Sequence, residues 1–270
     1  MIKTNYWTLP GVLLLALVPQ ILWGNIQPTM FAFPVNLALL LALVGGTYVL
    51  YREKKHTKTL RWWGSAQVSL LLFFFLFIGS LVIALAPQLD FQHSWIFNGA
   101  LLLLLVHLQL TIHYYSGRNK IRFYLLHSGI YLFIAALTLG APDTKRTRAV
   151  ASEGQTIAYA YDKNGRPHPI GFQIRLDKFD VSYYDNGVPK SFKATVTDRQ
   201  TRKEILVNHP WSRSWYEDIY LVSHGTDPAT QRPYCVLEFI RQPWKYAVQL
   251  GLILTVVGAF MLLWGKKFNR

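Results

Sequence analysis

The stretch LLLFFFLFIGSLVIALA, residues 70–86, carries no charge and no proline. A helix needs about 20 mainly apolar residues to cross ~30 Å of hydrocarbon. With its flanks this stretch predicts a membrane span over 65–87. Working outward, similar runs occupy 94–115, 121–141, 31–51 and 244–264, with a shorter one at 7–24. The short one contains Pro10, Pro19 and Gln20. No small-residue cleavage site follows Trp23 and only Lys3 precedes the run, so it reads as a retained span, not a removed signal. The expected fold class is a polytopic α-helical membrane protein of six spans. One extracytoplasmic all-β domain is inserted between spans five and six.

Charge predicts the orientation. The loop 52–61 holds Arg52, Lys54, Lys55, Lys58 and Arg61; the loop 118–122 holds Arg118, Lys120 and Arg122; the tail holds Lys266, Lys267 and Arg270. Loops 25–30 and 88–93 have no Lys or Arg. Basic residues of short loops stay cytoplasmic. Both termini are therefore expected inside, and the polar segment 142–243 outside. The formal charge of +14 is then mostly topological, because 142–241 carries 15 Lys/Arg against 12 Asp/Glu. That near balance argues against a nucleic-acid partner. Basic loops beside the inner leaflet attract anionic headgroups instead.

Residues 142–243 read as strands. Phe172, Ile174 and Leu176, then Phe179, Val181 and Tyr183, alternate with polar neighbours at the period of a half-buried strand. Asp185-Asn186-Gly187 predicts a hairpin turn. Further runs at 191–198, 203–208, 218–223 and 234–240, with short connections, predict antiparallel pairing. A small sandwich or open barrel is expected, with 145–148 and 162–168 as a loop leading into it. Asp177, Asp180, Glu217 and Asp218 have no spacing that forces a carboxylate pair. His168, His209 and His224 lack metal-ligand spacing. Cys235 is the single cysteine, so no internal disulfide or CxxC chemistry exists; it reads as a half-buried strand residue. Trp7, Trp62, Trp63, Trp95, Trp244 and Trp264 stand at span ends, the interfacial position that tryptophan favours.

Ionisable residues inside a span are costly and mark function by default. Two histidines qualify: His107 in the fourth span and His127 in the fifth. His56, His93 and His113 lie in loops or at span ends, where water makes them cheap. His127 is followed by Ser128 and Gly129, whose small size admits a neighbouring helix or a flat ligand. It is read either as a hydrogen-bond donor to a helix carbonyl or as a ligand for haem iron. For His107, deeper among leucines with Gln109 nearby, a buried polar pair is the first reading, and haem binding the second.

Several segments jointly resemble the ResB (CcsB) family of cytochrome c biogenesis proteins. Ser69 to Gln88, with Gly79-Ser80 and Ala86-Pro87-Gln88, is similar to the family's first span. The span from Ser94-Trp95 and the run Leu126-His127-Ser128-Gly129-Ile130 resemble its second and third. Ile174-Arg175-Leu176-Asp177-Lys178-Phe179, then Tyr183-Tyr184, Gly187, Pro189-Lys190 and Phe192, resemble its strand–turn–strand signature. Val207-Asn208-His209-Pro210 matches a corner motif. Arg241-Gln242-Pro243 leads to a last span with Gly251 and Gly258. The resemblance covers about 65–265 and orders the chain as 1–64 (two additional spans and a basic loop), 65–141 (ResB-like spans), 142–243 (the β domain) and 244–270 (last span and tail). The two extra spans depart from the pattern, as does Tyr220-Leu221 where the family has Tyr-Gln.

The resemblance implies a subunit of the System II cytochrome c synthetase in the bacterial inner (cytoplasmic) membrane. Such a subunit helps take b-type haem across the membrane and present it for attachment to apocytochrome c. His127 stands at the position implied to ligate haem from the cytoplasmic side. No Trp-Asp dipeptide occurs. The implied partners are therefore a tryptophan-rich CcsA/ResC-like membrane subunit, apocytochrome c and an extracytoplasmic thiol reductant. The chain alone is expected to be a non-catalytic half of a haem lyase. The competing expectation is a membrane-anchored extracytoplasmic scaffold without haem. A transporter would need mid-membrane polar pairs on several helices or matching broken helices in two halves, and shows neither.

Overall fold

The computed structural model describes residues 8–115, 120–228, 231 and 233–264. Lys3, Trp7, Arg118 and the basic tail lie outside the described residues. Two compact units divide the chain: residues 1–142 with 244–270, and residues 143–243.

The helical unit comprises α1 (Thr8–Leu15), α2 (Leu17–Trp23), α3 (Val35–Lys54), α4 (Lys58–Trp63), α5 (Ala66–Leu85), α6 (Trp95–Tyr115), α7 (Lys120–Gly140) and α8 (Lys245–Trp264). Five of these, α3, α5, α6, α7 and α8, are long and apolar enough to cross a membrane. The first apolar run gives two short helices instead, meeting at Ala16. Pro19 has no N–H to offer the carbonyl of Leu15, so the α-helical ladder breaks there. The apolar helical stretch Leu9–Trp23 is correspondingly shorter than the other five. On α5, Leu70, Phe74 and Phe77 are exposed while Val68 and Leu72 are fully buried. An outward-facing row of large apolar side chains suits hydrocarbon and not water.

Glycine sets the closest helix pair. A Cβ on Gly129 of α7 would stand 2.5 Å from the Thr255 nitrogen of α8. One on Gly251 of α8 would stand 2.5 Å from the Phe133 nitrogen. Gly258 faces the Leu126 backbone as closely, and Gly140 receives the Trp244 side chain. Backbone contact of this kind is the packing that small residues permit in membranes.

The sheet unit holds eight strands: β1 (Lys145–Ser152), β2 (Thr156–Tyr161), β3 (Pro167–Tyr183), β4 (Pro189–Asp198), β5 (Thr201–Leu206), β6 (Trp211–Ser214), β7 (Glu217–Thr226) and β8 (Pro233–Arg241). They form one antiparallel sheet in the order β5-β4-β3-β2-β1-β8-β7-β6. The β3–β4 hairpin closes with Gly187 at φ 77° and Val188 N–H donating to Asn186 Oδ1. The core collects Ala149, Ala151, Ile174, Leu176, Ala194, Val196, Ile205, Ile219 and Leu237. Ile205 of β5 and Ile219 of β7 share that core although their strands are not neighbours in the sheet, so the sheet curls over itself. The opposite ends of the strand order meet at Arg213 of β6, 3.0 Å from Asp198 of β4.

One expectation fails. Residues 145–148 are not a lead-in loop but the start of β1, a central strand paired with β2 and β8. Arg146 and Arg148 point outward, and the inward Ala149 and Ala151 are too small to announce a strand by hydropathy. Likewise 167 and 168 open β3, while Asp162–Arg166 is a turn whose Asp162 carboxylate accepts from the N–H groups of Asn164 and Arg166.

Candidate functional site

His127 is the eighth residue of α7 and is half-buried. Its Nδ1 lies 3.0 Å from the carbonyl of Phe123, one turn earlier, and its ring stacks on Phe123 with centroids 4.0 Å apart. A carbonyl only accepts, so the proton sits on Nδ1 and the Nε2 lone pair of the neutral ring is free. Among the described residues nothing bonds Nε2. The sequence left a helix-carbonyl bond and iron ligation as alternatives; the geometry makes them compatible, one on each nitrogen.

Gly129 is occupied differently. Its face of α7 is filled by the backbone of α8 around Gly251 and Thr255. Two residues along a helix are about 200° apart, so His127 projects away from that contact. A flat ligand has no room beside Gly129. The face that carries His127 also carries Phe123 and, one turn on, Tyr131, which packs against the cluster of Leu104 and Leu108 of α6.

His107 is held by both nitrogens. It is 2 % exposed. Nδ1 lies 2.6 Å from the Trp63 carbonyl and Nε2 lies 2.7 Å from Ser69 Oγ. Nδ1–H therefore donates to Trp63, and the Ser69 hydroxyl donates to Nε2. Thr111, one turn on in α6, donates to the Gly64 carbonyl at 3.2 Å. Trp63 and Gly64 lie where α4 ends, and the last carbonyls of a helix lack intrahelical partners. His107 and Thr111 supply those partners. The polar pairing expected for His107 is thus with Ser69 and Trp63, not Gln109, and no nitrogen is left over for iron.

One turn beyond His127, Tyr131 of α7 meets Gln109 of α6. Tyr131 OH and Gln109 Oε1 are buried with no third partner, and the Tyr131 hydroxyl faces the Gln109 side chain within hydrogen-bonding influence. Tyr131 has no signal in the sequence, being one of 15 tyrosines. Only its turn-distance from His127 distinguishes it.

An iron porphyrin brings its own equatorial nitrogens and needs axial donors from protein. The one imidazole nitrogen of His127 left without a partner among the described residues fits that need. A bare cation fits poorly, since the described residues contain no group of three His, Cys, Asp or Glu that could hold one.

The sheet unit offers binding surface and no reactive cluster among its described residues. Asp177 accepts from Arg175 and Thr197, Lys178 pairs with Asp180, and Arg213 binds Glu217. Asp218 accepts from Ser212. His168 meets Asp162 and His224 stacks on Phe192. Cys235 is fully buried rather than half-buried, and burial pushes its thiol up to about 12, which leaves no thiolate for chemistry.

Residues 117–237 match the model of the ResB-like family. No curated protein sequence matches the chain. Among solved structures it is similar to the cytochrome c haem lyase CcmF, at 12% identity and a TM-score of 0.41. That likeness covers 76% of this chain and 38% of the other, so the chain spans well under half the length of that protein. The family match runs through α7 with His127 and through the sheet from β1 into β8. The histidine helix and the strands that follow it thus fall within the part of the chain that is similar to the ResB-like family.

Proposed function

We propose that this chain is the ResB-like subunit of a membrane cytochrome c synthetase, taking haem as cargo and presenting it for attachment to apocytochrome c. One observation carries the reading. His127 keeps Nε2 free while Phe123 pins Nδ1, which is how a protein fixes a neutral imidazole as a metal ligand. Basic short loops support a topology with both termini in the cytoplasm and the sheet unit outside. The first apolar run is then a sixth crossing, short and broken at Ala16. His127 lies two turns beyond Lys120, in the cytoplasmic leaflet, where haem made inside would first meet it.

Bound there, haem would supply an iron that takes an axial donor and porphyrin vinyl groups as the points of attachment. The chain's own part is to hold and orient it. His127 provides an axial nitrogen, Phe123 fixes the ring plane, and Tyr131 lies one turn along the same helix. Attachment needs what this chain lacks: a tryptophan-rich CcsA/ResC-like partner and an apocytochrome whose thiols a reductant keeps free. The sheet unit is the docking body for partner or apocytochrome.

The test is co-expression with the partner, followed by purification of the complex with His127 intact or changed to Gly. Wild type is expected to carry haem, His127→Gly to lose most of it, and added imidazole to restore it. Unchanged haem content and unchanged cytochrome maturation in the variant would overturn the assignment. A complex without haem absorbance would favour a scaffold that binds protein only.

A further inference from the structure

The segment between α5 and α6 holds an imidazole with the same free nitrogen and a better support. Asp90 sits in the left-handed region at φ 48°, a conformation uncommon among non-glycine residues though easier for aspartate than for most. What holds it is a network. Its Oδ1 lies 2.6 Å from His93 Nδ1 and accepts from Gln92 Nε2, while Oδ2 accepts from Asn25 Nδ2 at 3.2 Å. Asn25 also donates to the Asp90 carbonyl, and its own Oδ1 receives Gln20 Nε2 at 2.8 Å. Gln20 Oε1 in turn accepts from the backbone of Trp95. The N–H of Ile26 donates to the His93 carbonyl at 2.7 Å.

A carboxylate only accepts, so His93 carries its proton on Nδ1. Nε2 then lies away from the network, nothing among the described residues bonds it, and in the neutral form of the ring it carries the lone pair. Fastening this loop does not require that arrangement. Asn25, Gln20 and Ile26 already tie it down, and Ser94 Oγ already accepts from Phe97 N–H in the first turn of α6. An aspartate behind an imidazole fixes the tautomer, orients the ring and raises its basicity as a ligand. Aromatic surface adjoins it. Trp95 packs between Trp23 and Phe31, with ring centroids 6.3 and 6.2 Å away, and Trp23 is 71% exposed.

We propose that His93, supported by Asp90, is a second axial-ligand position for porphyrin iron, at the end of the helical unit away from the basic loops. It deepens the haem reading above and rests on it. His127 would receive the cargo on the inner side, and His93 would hold it on the outer side beside exposed tryptophan. A porphyrin suits this place better than a bare cation, because the described residues contain no third ligand for one.

The experiment titrates the purified full chain with ferric protoporphyrin IX and follows the Soret band, in wild type, His93→Gly, His127→Gly, both together, and Asp90→Asn. His127→Gly is expected to retain a site that the double variant lacks. His93→Gly is expected to lose binding that imidazole restores, and that restoration separates a missing ligand from a misfolded chain. Asp90→Asn should weaken the His93 site by about 10- to 100-fold, as removal of a supporting carboxylate does. If His93→Gly matches wild type while His127→Gly removes all binding, this inference falls and the haem reading stands. If wild type binds no porphyrin, both fall.

Discussion

Gly129 of α7 and Gly251 of α8 lie back to back, each lacking the side chain that would strike the other helix's backbone 2.5 Å away. The two helices bound the sheet unit in sequence, one before Asp143 and one after Pro243. Their contact therefore fixes the register of the helix that carries His127.

That contact predicts an asymmetry among glycines. Gly129→Leu or Gly251→Leu should force α7 and α8 apart and destabilise the protein by more than the about 1–3 kcal/mol typical of overpacking. Gly45→Ala and Gly46→Ala meet nothing within 4 Å and should be neutral or slightly stabilising. Thermal unfolding in detergent, read by size-exclusion chromatography after heating, checks both halves. Equal effects at all positions would contradict the close pairing.

His107 and His127 should respond oppositely to imidazole. His107→Leu leaves the Trp63 carbonyl and the Ser69 hydroxyl unpartnered in an apolar bundle. The expected loss is about 1–3 kcal/mol for each stranded group, seen as lowered thermal stability that free imidazole does not repair. Haem recovery by imidazole in His107→Gly would instead mark it as a ligand.

Acid should weaken the sheet unit through Asp177. The Thr197 hydroxyl, and then Arg175, hold its carboxyl below the ordinary carboxylate value of 3.8. A folded value below the unfolded one contributes stability that is present above the unfolded value and lost as pH falls through the folded one. Thermal midpoints of the full chain should decline below about pH 4. In Asp177→Asn they should start lower at neutral pH and decline less. Parallel pH curves for the two proteins would remove Asp177 from the account.

Cys235 should resist alkylation. With its thiol pushed up to about 12 and its side chain inside the sheet core, almost no thiolate exists at pH 8. Iodoacetamide should label the protein only after denaturation. Stoichiometric labelling of the native chain would show that the core opens.

Much of the architecture was legible because its causes are local or one-dimensional. Hydrocarbon thickness demands a minimum apolar length, so residues 31–51, 65–87, 94–115, 121–141 and 244–264 announce long helices without any knowledge of their neighbours. Asp185-Asn186-Gly187 announces a turn because positive φ is a property of the residue itself. Alternation in 172–183 announces β3 because successive side chains leave a strand on opposite faces. His127 was visible for a similar reason: an imidazole between apolar neighbours is costly wherever the helix packs.

The rest depended on contacts between distant residues, which no local pattern encodes. Whether Gly129 serves a ligand or a helix was settled by α8, more than a hundred residues later in the chain. His107 could not be separated from His127 until the end of α4 brought the Trp63 carbonyl and Ser69 to its two nitrogens. Central strand β1 was hidden because its inward side chains are alanines, whose burial comes from the strands on either side. Hydropathy is written residue by residue; hydrogen-bond partnership is written only when the chain has folded back upon itself.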